Sequence, residues 1–433
     1  MQRSEMPVRQ GPFGIFYGWW MAVPGAIIVM VGSIQTSVSS VFFIPMTETL
    51  GLTYTATSLV FTLARFEGGL EGPVVGWVID KYGPRLPIVV GAVLGGVGLV
   101  VMSRVNSYPA FILVFLSMVS LGFQIGFLQC MHAVANLWFV HYRTRAMSIF
   151  SSSFRLGWAI FTPLVAIIVV RYGWRDASVM IGVFVLVTAL PLSWFIRRSP
   201  ESMGLLPDGA QPEADAVVGE GETEGLQTGT SSTAATEASD FGFKEALRTP
   251  AFWIIAFSTT VRLSTHTALG IHAIPIFVSK GLSEVSGANM VGLIAGVAVP
   301  MILTMGWLGD KISKRTILLV AQLAVALSFV TLAMSEGMSL IYVFVFLFAF
   351  GGNVSPVNYS ILGEYFGRKV FARLRGALNS IGMIGALTPI YAGWVFDTRG
   401  TYTMALLTFS VLAGMAAVLL FFLHQPHRKT VLA

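Results

Sequence analysis

Apolar runs of roughly twenty residues or more follow one another along this chain, separated by short polar stretches. As a helix, each such run is long enough to cross a hydrocarbon core about 30 Å thick. Twelve can be drawn, at 18–46, 56–79, 86–104, 109–138, 147–170, 175–196, 250–278, 284–308, 316–334, 340–364, 372–396 and 402–424. Lipid offers no water to backbone amides, so each run must satisfy its own hydrogen bonds as a helix. The strands of a membrane barrel would be shorter and would alternate apolar with polar residues. The first run follows Arg3 and Arg9 but has no small-residue cleavage site and carries Ser33 and Gln35. It is also too long for a signal-peptide core, so it is expected to remain as a helix.

The pattern stops at 199–246, where Gly, Ser, Thr, Ala and acidic residues dominate from Gly209 to Asp240 with almost nothing apolar to bury. A stretch of that composition is expected to be a disordered linker, on the cytoplasmic side. It separates six runs from six, giving bundles at 1–198 and 247–433. The fold class expected is an all-α membrane protein of twelve transmembrane helices in two six-helix repeats.

Composition removes the soluble alternatives. The 433 residues are 55% hydrophobic and 11% charged, and the mean hydropathy is +0.76. With the N-terminus in the cytoplasm, nineteen of the 27 lysines and arginines fall on the cytoplasmic side and five outside, the bias expected of an inserted protein. The net charge of +6 therefore reports topology and does not point to nucleic acid. The single cysteine, Cys130, lies inside the fourth run, so there is no disulfide framework.

Two segments repeat. Gly76-Trp77-Val78-Ile79-Asp80-Lys81-Tyr82-Gly83-Pro84-Arg85 follows the second run, and Gly306-Trp307-Leu308-Gly309-Asp310-Lys311-Ile312-Ser313-Lys314-Arg315 follows the eighth. Arg143-Thr144-Arg145-Ala146 and Arg373-Leu374-Arg375-Gly376 correspond in the same way after the fourth and tenth. This loop, repeated in each half about a long linker, resembles the major facilitator superfamily, with Ser313 replacing a glycine in the second copy. Tyr17-Gly18-Trp19-Trp20 and the segment from Trp138 to Ser148 resemble, within it, the monocarboxylate and oxalate/formate porter branch. Two departures stand out: no acidic residue precedes Gly18, and the eighth and eleventh runs lack a mid-span Arg or Lys. The resemblance implies alternating access between the halves. Asp80 would accept from a helix N-terminus of the facing half, with Lys81, Arg85, Arg143 and Arg145 as cationic partners and Asp310 and Lys311 as the second copy.

Ionisable residues near the middle of a span are costly and usually face a wet cavity or a partner. Arg65, Arg155 and Arg262 all approach mid-span, against Glu67 and Glu71 in the second run. At 100° per residue in a helix, the two glutamates share a face that Arg65 does not. A substrate carboxylate would suit a guanidinium, whose planar fork matches two oxygens. The alternative is a structural ion pair between Arg155 or Arg262 and Glu67. His266 stands one turn after Arg262, so proton uptake could couple to anion entry through His266 or Glu67. Gln129, His132 and Asn136 form a polar stripe in the fourth run, and Asn353, Ser355, Asn358 and Tyr359 form one in the tenth. By resemblance, the first, fourth, seventh and tenth helices line the cavity, which makes Gln129, His132, Asn353 and Asn358 candidates for orienting substrate. Gly91, Gly95, Gly292 and Gly296 have small-xxx-small spacing and are assigned to helix packing.

No P-loop, nucleotide fingerprint or metal-ligand set occurs, so no cofactor or metal is expected and the energy source is a gradient. The expectation is a secondary transporter for a small organic anion, a mono- or dicarboxylate, with proton symport. It is placed as a monomer in the plasma or inner membrane with both termini cytoplasmic. The rivals are an exporter of amphipathic compounds, with Phe and Met supplying an adaptable pocket, and a non-transporting solute sensor.

Overall fold

The computed structural model describes residues 16–139, 142–200, 203–205, 241–309, 311–367 and 370–426. Most of the expected linker, residues 206–240, lies outside them. The regular secondary structure is all helical, with no strand among the described residues. In chain order the spanning helices are α1 (Tyr17–Val41), α2 (Tyr54–Tyr82), α3 (Arg85–Met102), α4 (108–138), α5 (143–172) and α6 (174–193). They continue as α7 (Pro250–Ser279), α8 (Glu284–Gly309), α9 (Lys314–Ala333), α10 (Met338–Phe366), α11 (371–399) and α12 (Thr403–Phe421).

Among the described residues, eight helical stretches are long and apolar enough to cross a membrane. One of them contains both α5 and α6, which run on through Arg143–Ser193 and change direction at Gly173, φ +78°, a backbone state that glycine adopts without penalty. The others that fall short are informative. α2 carries Arg65, Glu67 and Glu71, α7 is rich in Ser and Thr around Arg262, and α11 is cut by a 3₁₀ turn at Met383–Leu387. Polar content at mid-span is tolerated only where protein or a cavity covers it.

The described residues group into two compact units. The first contains α1–α6 together with residues 271–278 and 282–296, and the second contains the rest of α7, residues 279–281 and the chain from 297 onward. In the first unit, α3 and α4 meet backbone to backbone. A Cβ on Gly91 would lie 2.5 Å from the Gly122 carbonyl oxygen and from Gly126 Cα, and one on Gly122 would lie 2.4 Å from the Gly95 amide nitrogen. Four glycines thus make one crossing, since only glycine lets two helix backbones touch. Gly292 packs likewise, with a Cβ position 2.8 Å from the Ala159 carbonyl oxygen, but Gly296 has open space around it. Packing therefore does not explain Gly296, in contrast to the expectation from spacing. In the second unit Phe252, Ile255, Leu318, Ile361, Leu362, Leu374 and Leu420 form a shared core of α7, α9, α10, α11 and α12.

The duplicated loops differ in one instructive respect. Gly83 sits at φ +83°, whereas its counterpart Ser313 is at φ −51° and accepts from the Thr316 amide as the N-cap of α9. Serine replaces glycine because the second copy needs a cap and not a left-handed residue. In both copies the lysine lies on the exposed tryptophan four residues before it: Lys81 is 5.0 Å from the Trp77 ring centroid and Lys311 is 3.9 Å from Trp307. Stem and ring form an interfacial pair with the charge carried toward water.

Candidate functional site

Helices that line a solute site in transporters are often discontinuous, because a break frees backbone groups and re-aims side chains. In the first unit α1 pauses at Ser33, between Tyr17–Gly32 and Ile34–Val41, and α4 is broken twice. Its Phe115–Ser120 segment is π-helical, a register change frequent at functional sites. At Phe127 the backbone leaves helical geometry altogether, φ −116° and ψ −97°. Gly32 makes room for that bend, since a Cβ there would be 2.5 Å from Phe127 Cβ. In the second unit α10 is interrupted between Met338–Gly352 and Ser355–Phe366, so the fourth helix of each repeat is broken.

The breaks in α1 and α4 border a cavity of about 190 Å³. α1 contributes Gln35, Thr36 and Ser39, α2 contributes Phe61, Ala64 and Arg65, and α4 contributes Phe123, Gln124, Phe127, Leu128 and Gln129. Phe154 and Ile271 complete it. Arg65 is exposed to this space and has no hydrogen-bond or ion-pair partner among the described residues. Gln124 is held beside it: Nε2 donates to the Ala64 carbonyl at 2.7 Å and to Ser120 Oγ at 3.2 Å. Leu128 and Gln129 begin the second half of α4, an eleven-residue helix with no side chain capping its first amides. A helix N-terminus turned to a cavity favours negative charge, as does the guanidinium. The remaining wall is aromatic. One cation, several amide and hydroxyl groups and an apolar floor suit a small anion with an organic body.

Two turns of sequence reasoning land close by. Glu67 is half-buried in α2, and its Oε2 is fully buried with no hydrogen-bond partner among the described residues. His132 is half-buried lower in α4, with Nε2 3.2 Å from Ser151 Oγ of α5. Arg155 is half-buried on α5, and its neighbour Phe154 lines the cavity instead. Sequence reading missed Gln124, Thr36 and Ser39. The signal available for Gln124 was its position between Gly122 and Gly126, the glycines that force α4 against α3.

In the second unit the polar stripes of α7 and α10 face one another. Arg262 is only 6% exposed, its Nη donates to Ser355 Oγ at 3.1 Å, and its Nε has no hydrogen-bond partner among the described residues. Ser355 begins the second half of α10, so the guanidinium lies at a broken-helix N-terminus here too. His266 Nε2 is 2.8 Å from the Gly352 carbonyl oxygen, and its ring fills the space where a Cβ on Gly352 would stand. Asn358 and Thr259 exchange hydrogen bonds at 2.9 and 3.2 Å, wholly buried, and so clamp α7 to α10. Asn353 donates to the Ala349 carbonyl at 2.7 Å, and its Oδ1 has no hydrogen-bond partner among the described residues.

Of the loop residues, Lys81 and Lys311 lie on tryptophans as described, Arg85 lies over the Trp194 ring at 4.5 Å and Arg145 over Tyr142 at 5.3 Å. Asp310 and the side chains of Glu71, Asp80, Asn136 and Arg143 lie outside the described residues. Glu364, at the end of α10, forms an ion pair with Lys314.

Several transporters align with this chain over most of their length. Monocarboxylate transporter 12-B of Danio rerio is 24% identical over 89% of this chain and 83% of its own. The probable sulfoacetate transporter SauU of Cupriavidus necator is 25% identical over 87% of each. The oxalate:formate antiporter of Oxalobacter formigenes is 25% identical over 87% of this chain and 86% of its own. Among solved structures, a bacterial homologue of the human lysosomal transporter Spinster superposes with a TM-score of 0.69 at 16% identity, covering 94% of this chain and 97% of that one. A D-xylose-proton symporter gives 0.67 at 14% identity, covering 95% and 98%. At those identities the two structures speak for the fold alone. A family model described as Major Facilitator Superfamily matches residues 25–304 and 271–433, and the chain, a multi-pass membrane transport protein and not an enzyme, belongs to that superfamily.

Proposed function

We propose that this transporter carries a small organic anion, a mono- or dicarboxylate, by alternating access with proton symport. The observation that carries the reading is Arg65, a guanidinium facing a cavity of about 190 Å³ with no acidic partner among the described residues. A cation placed at mid-span without a counter-charge is costly unless an anion visits it. The half-helix N-terminus at Leu128 and the side-chain amide of Gln129 line the same space and would orient the carboxylate, while Gln124, whose two N–H bonds go to Ala64 and Ser120, holds the wall in place. The relatives named for monocarboxylate, sulfoacetate and oxalate with formate agree in substrate class. Arg155 and Arg262 remain candidates for further anion contacts, with His132, Asn353 and Asn358 as supporting groups.

For the proton, Glu67 offers a buried oxygen with no donor among the described residues, and His266 is the titratable group on α7, one turn from Arg262, with Nε2 at the Gly352 carbonyl. The distribution of Lys and Arg supports cytoplasmic termini, and on that reading Asp80 at the end of α2, Arg143 and Arg145 at the start of α5, and Asp310 after α8 form the gate on that side. The test is uptake into proteoliposomes of the purified protein from a panel of labelled carboxylates, with and without an inward proton gradient. Gradient-stimulated uptake of at least one carboxylate is the expected result. Transport confined to neutral or cationic amphipathic compounds would overturn the reading.

A further inference from the structure

On the first unit, away from the cavity, α1 and the end of α6 flank an apolar groove of about 510 Å³. Its walls include Trp20, Val23, Pro24 and Ile27 from α1, and Leu192 and Phe195 from the α6 end. Val23 is 61% exposed and Phe195 57%, so the groove faces the surrounding medium, which at a spanning helix is lipid. Pro24 sits inside α1 and cannot donate to the Trp20 carbonyl, which loosens the turn on this face. The groove has a fixed frame. The Tyr17 hydroxyl donates to the Phe195 carbonyl at 2.9 Å, and the Arg197 amide donates to the Met21 sulfur at 3.4 Å, so the two chain segments are tied at one end.

At that same end the charge is positive. Arg197 is exposed, and its guanidinium has no partner among the described residues. Arg85 lies over the Trp194 ring next to the lining Phe195, and Arg198 packs against Gly83 in the same loop cluster. An acyl-chain-sized apolar slot lined by Tyr17, Trp20 and Phe195, with the Arg197 backbone held on the lining residue Met21 and its exposed side chain carrying a positive charge, has the chemistry of one ligand type. We propose that it binds an anionic phospholipid of the adjoining leaflet, one acyl chain in the groove and the phosphate at Arg197. Zwitterionic lipid could fill the slot but would gain nothing from the uncompensated charge, which is worth about fivefold in binding per arginine near an anionic surface.

The experiment uses the full-length protein in detergent, titrated with dioleoyl phosphatidylglycerol or dioleoyl phosphatidylcholine and read by native mass spectrometry. Phosphatidylglycerol should be retained in preference to phosphatidylcholine. Arg197→Gln should lower that preference by about fivefold, and Val23→Trp, which fills the slot without touching charge, should remove one bound lipid of either kind. Equal retention of the two lipids by the unaltered protein would overturn the proposal. So would a preference unchanged in Arg197→Gln, full competition by glycerol phosphate lacking acyl chains, or a dimer that occludes Val23 from lipid.

Discussion

Arg65 and His266 are the residues at which the transport proposal is most exposed to test. If Arg65 grips a carboxylate through its fork, Arg65→Lys keeps the charge and loses the paired donors, so affinity should fall by roughly 1–3 kcal/mol while surface abundance stays normal. The concentration dependence of initial uptake measures this, and unchanged affinity would place the anion elsewhere. Gln at 266 can still donate to the Gly352 carbonyl, so His266→Gln should leave substrate exchange intact and remove only the stimulation by an inward proton gradient. Retained stimulation would move the proton site to Glu67. Side-chain roles were only half legible in the sequence. The mid-span position of Arg65 and the one-turn spacing of Arg262 and His266 are read directly from residue numbers. What each one touches is not, because helix spacing fixes a face but does not name the facing neighbour. Asn358 belongs to a polar stripe legible in the sequence, but its buried reciprocal bonds with Thr259 are not.

At the scale of the helix, the twelve runs were legible because lipid enforces length and apolarity together, while the breaks within them were not. Ser33 and Phe127 are unremarkable residues in an apolar sequence, and the bend at Phe127 exists because Gly32, Gly91, Gly122 and Gly126 let neighbouring backbones in close enough to hold it. Sequence spacing found Gly91 and Gly95 but assigned them to packing alone; their further consequence is the shape of the cavity. Gly91→Ala would drive a methyl into the Gly122 carbonyl and Gly126 Cα, both backbone atoms that cannot turn aside. Overpacking of this kind costs roughly 1–3 kcal/mol. The variant should therefore melt several degrees lower in detergent, and should also lose affinity, because α4 carries Gln124 and Gln129 with it. Gly296→Ala, with open space around the site, serves as the matched control and should leave both measurements unchanged. Equal effects from the two would mean that glycine content, and not this crossing, sets stability.

For the whole molecule, the proposed alternating access asks that two bundles change their relationship while remaining one chain, and the proposal gives the connecting role to the stretch between Gly209 and Asp240, which lies outside the described residues. A flexible connection contributes closure entropy that varies only as the logarithm of its length, so halving it changes the free energy by about 0.6 kcal/mol. What the two bundles need is reach, and even a shortened segment of this composition supplies it. The gate is a different matter. Asp80 stands in the last turn of α2, in a segment whose glycine and lysine recur in outline at the end of α8, and an Asn in its place keeps volume but gives up the charge that a helix N-terminus favours. Asp80→Asn should therefore insert normally and slow net uptake, whereas deleting about half of residues 209–240 should leave both insertion and uptake close to normal. Both variants can be measured in one experiment, by surface abundance and initial rate in the same vesicles. If the deletion lowers abundance, the segment is part of the folded protein and the two-bundle division of the chain is wrong. If it lowers rate at full abundance, the segment takes part in the conformational cycle and is more than a tether.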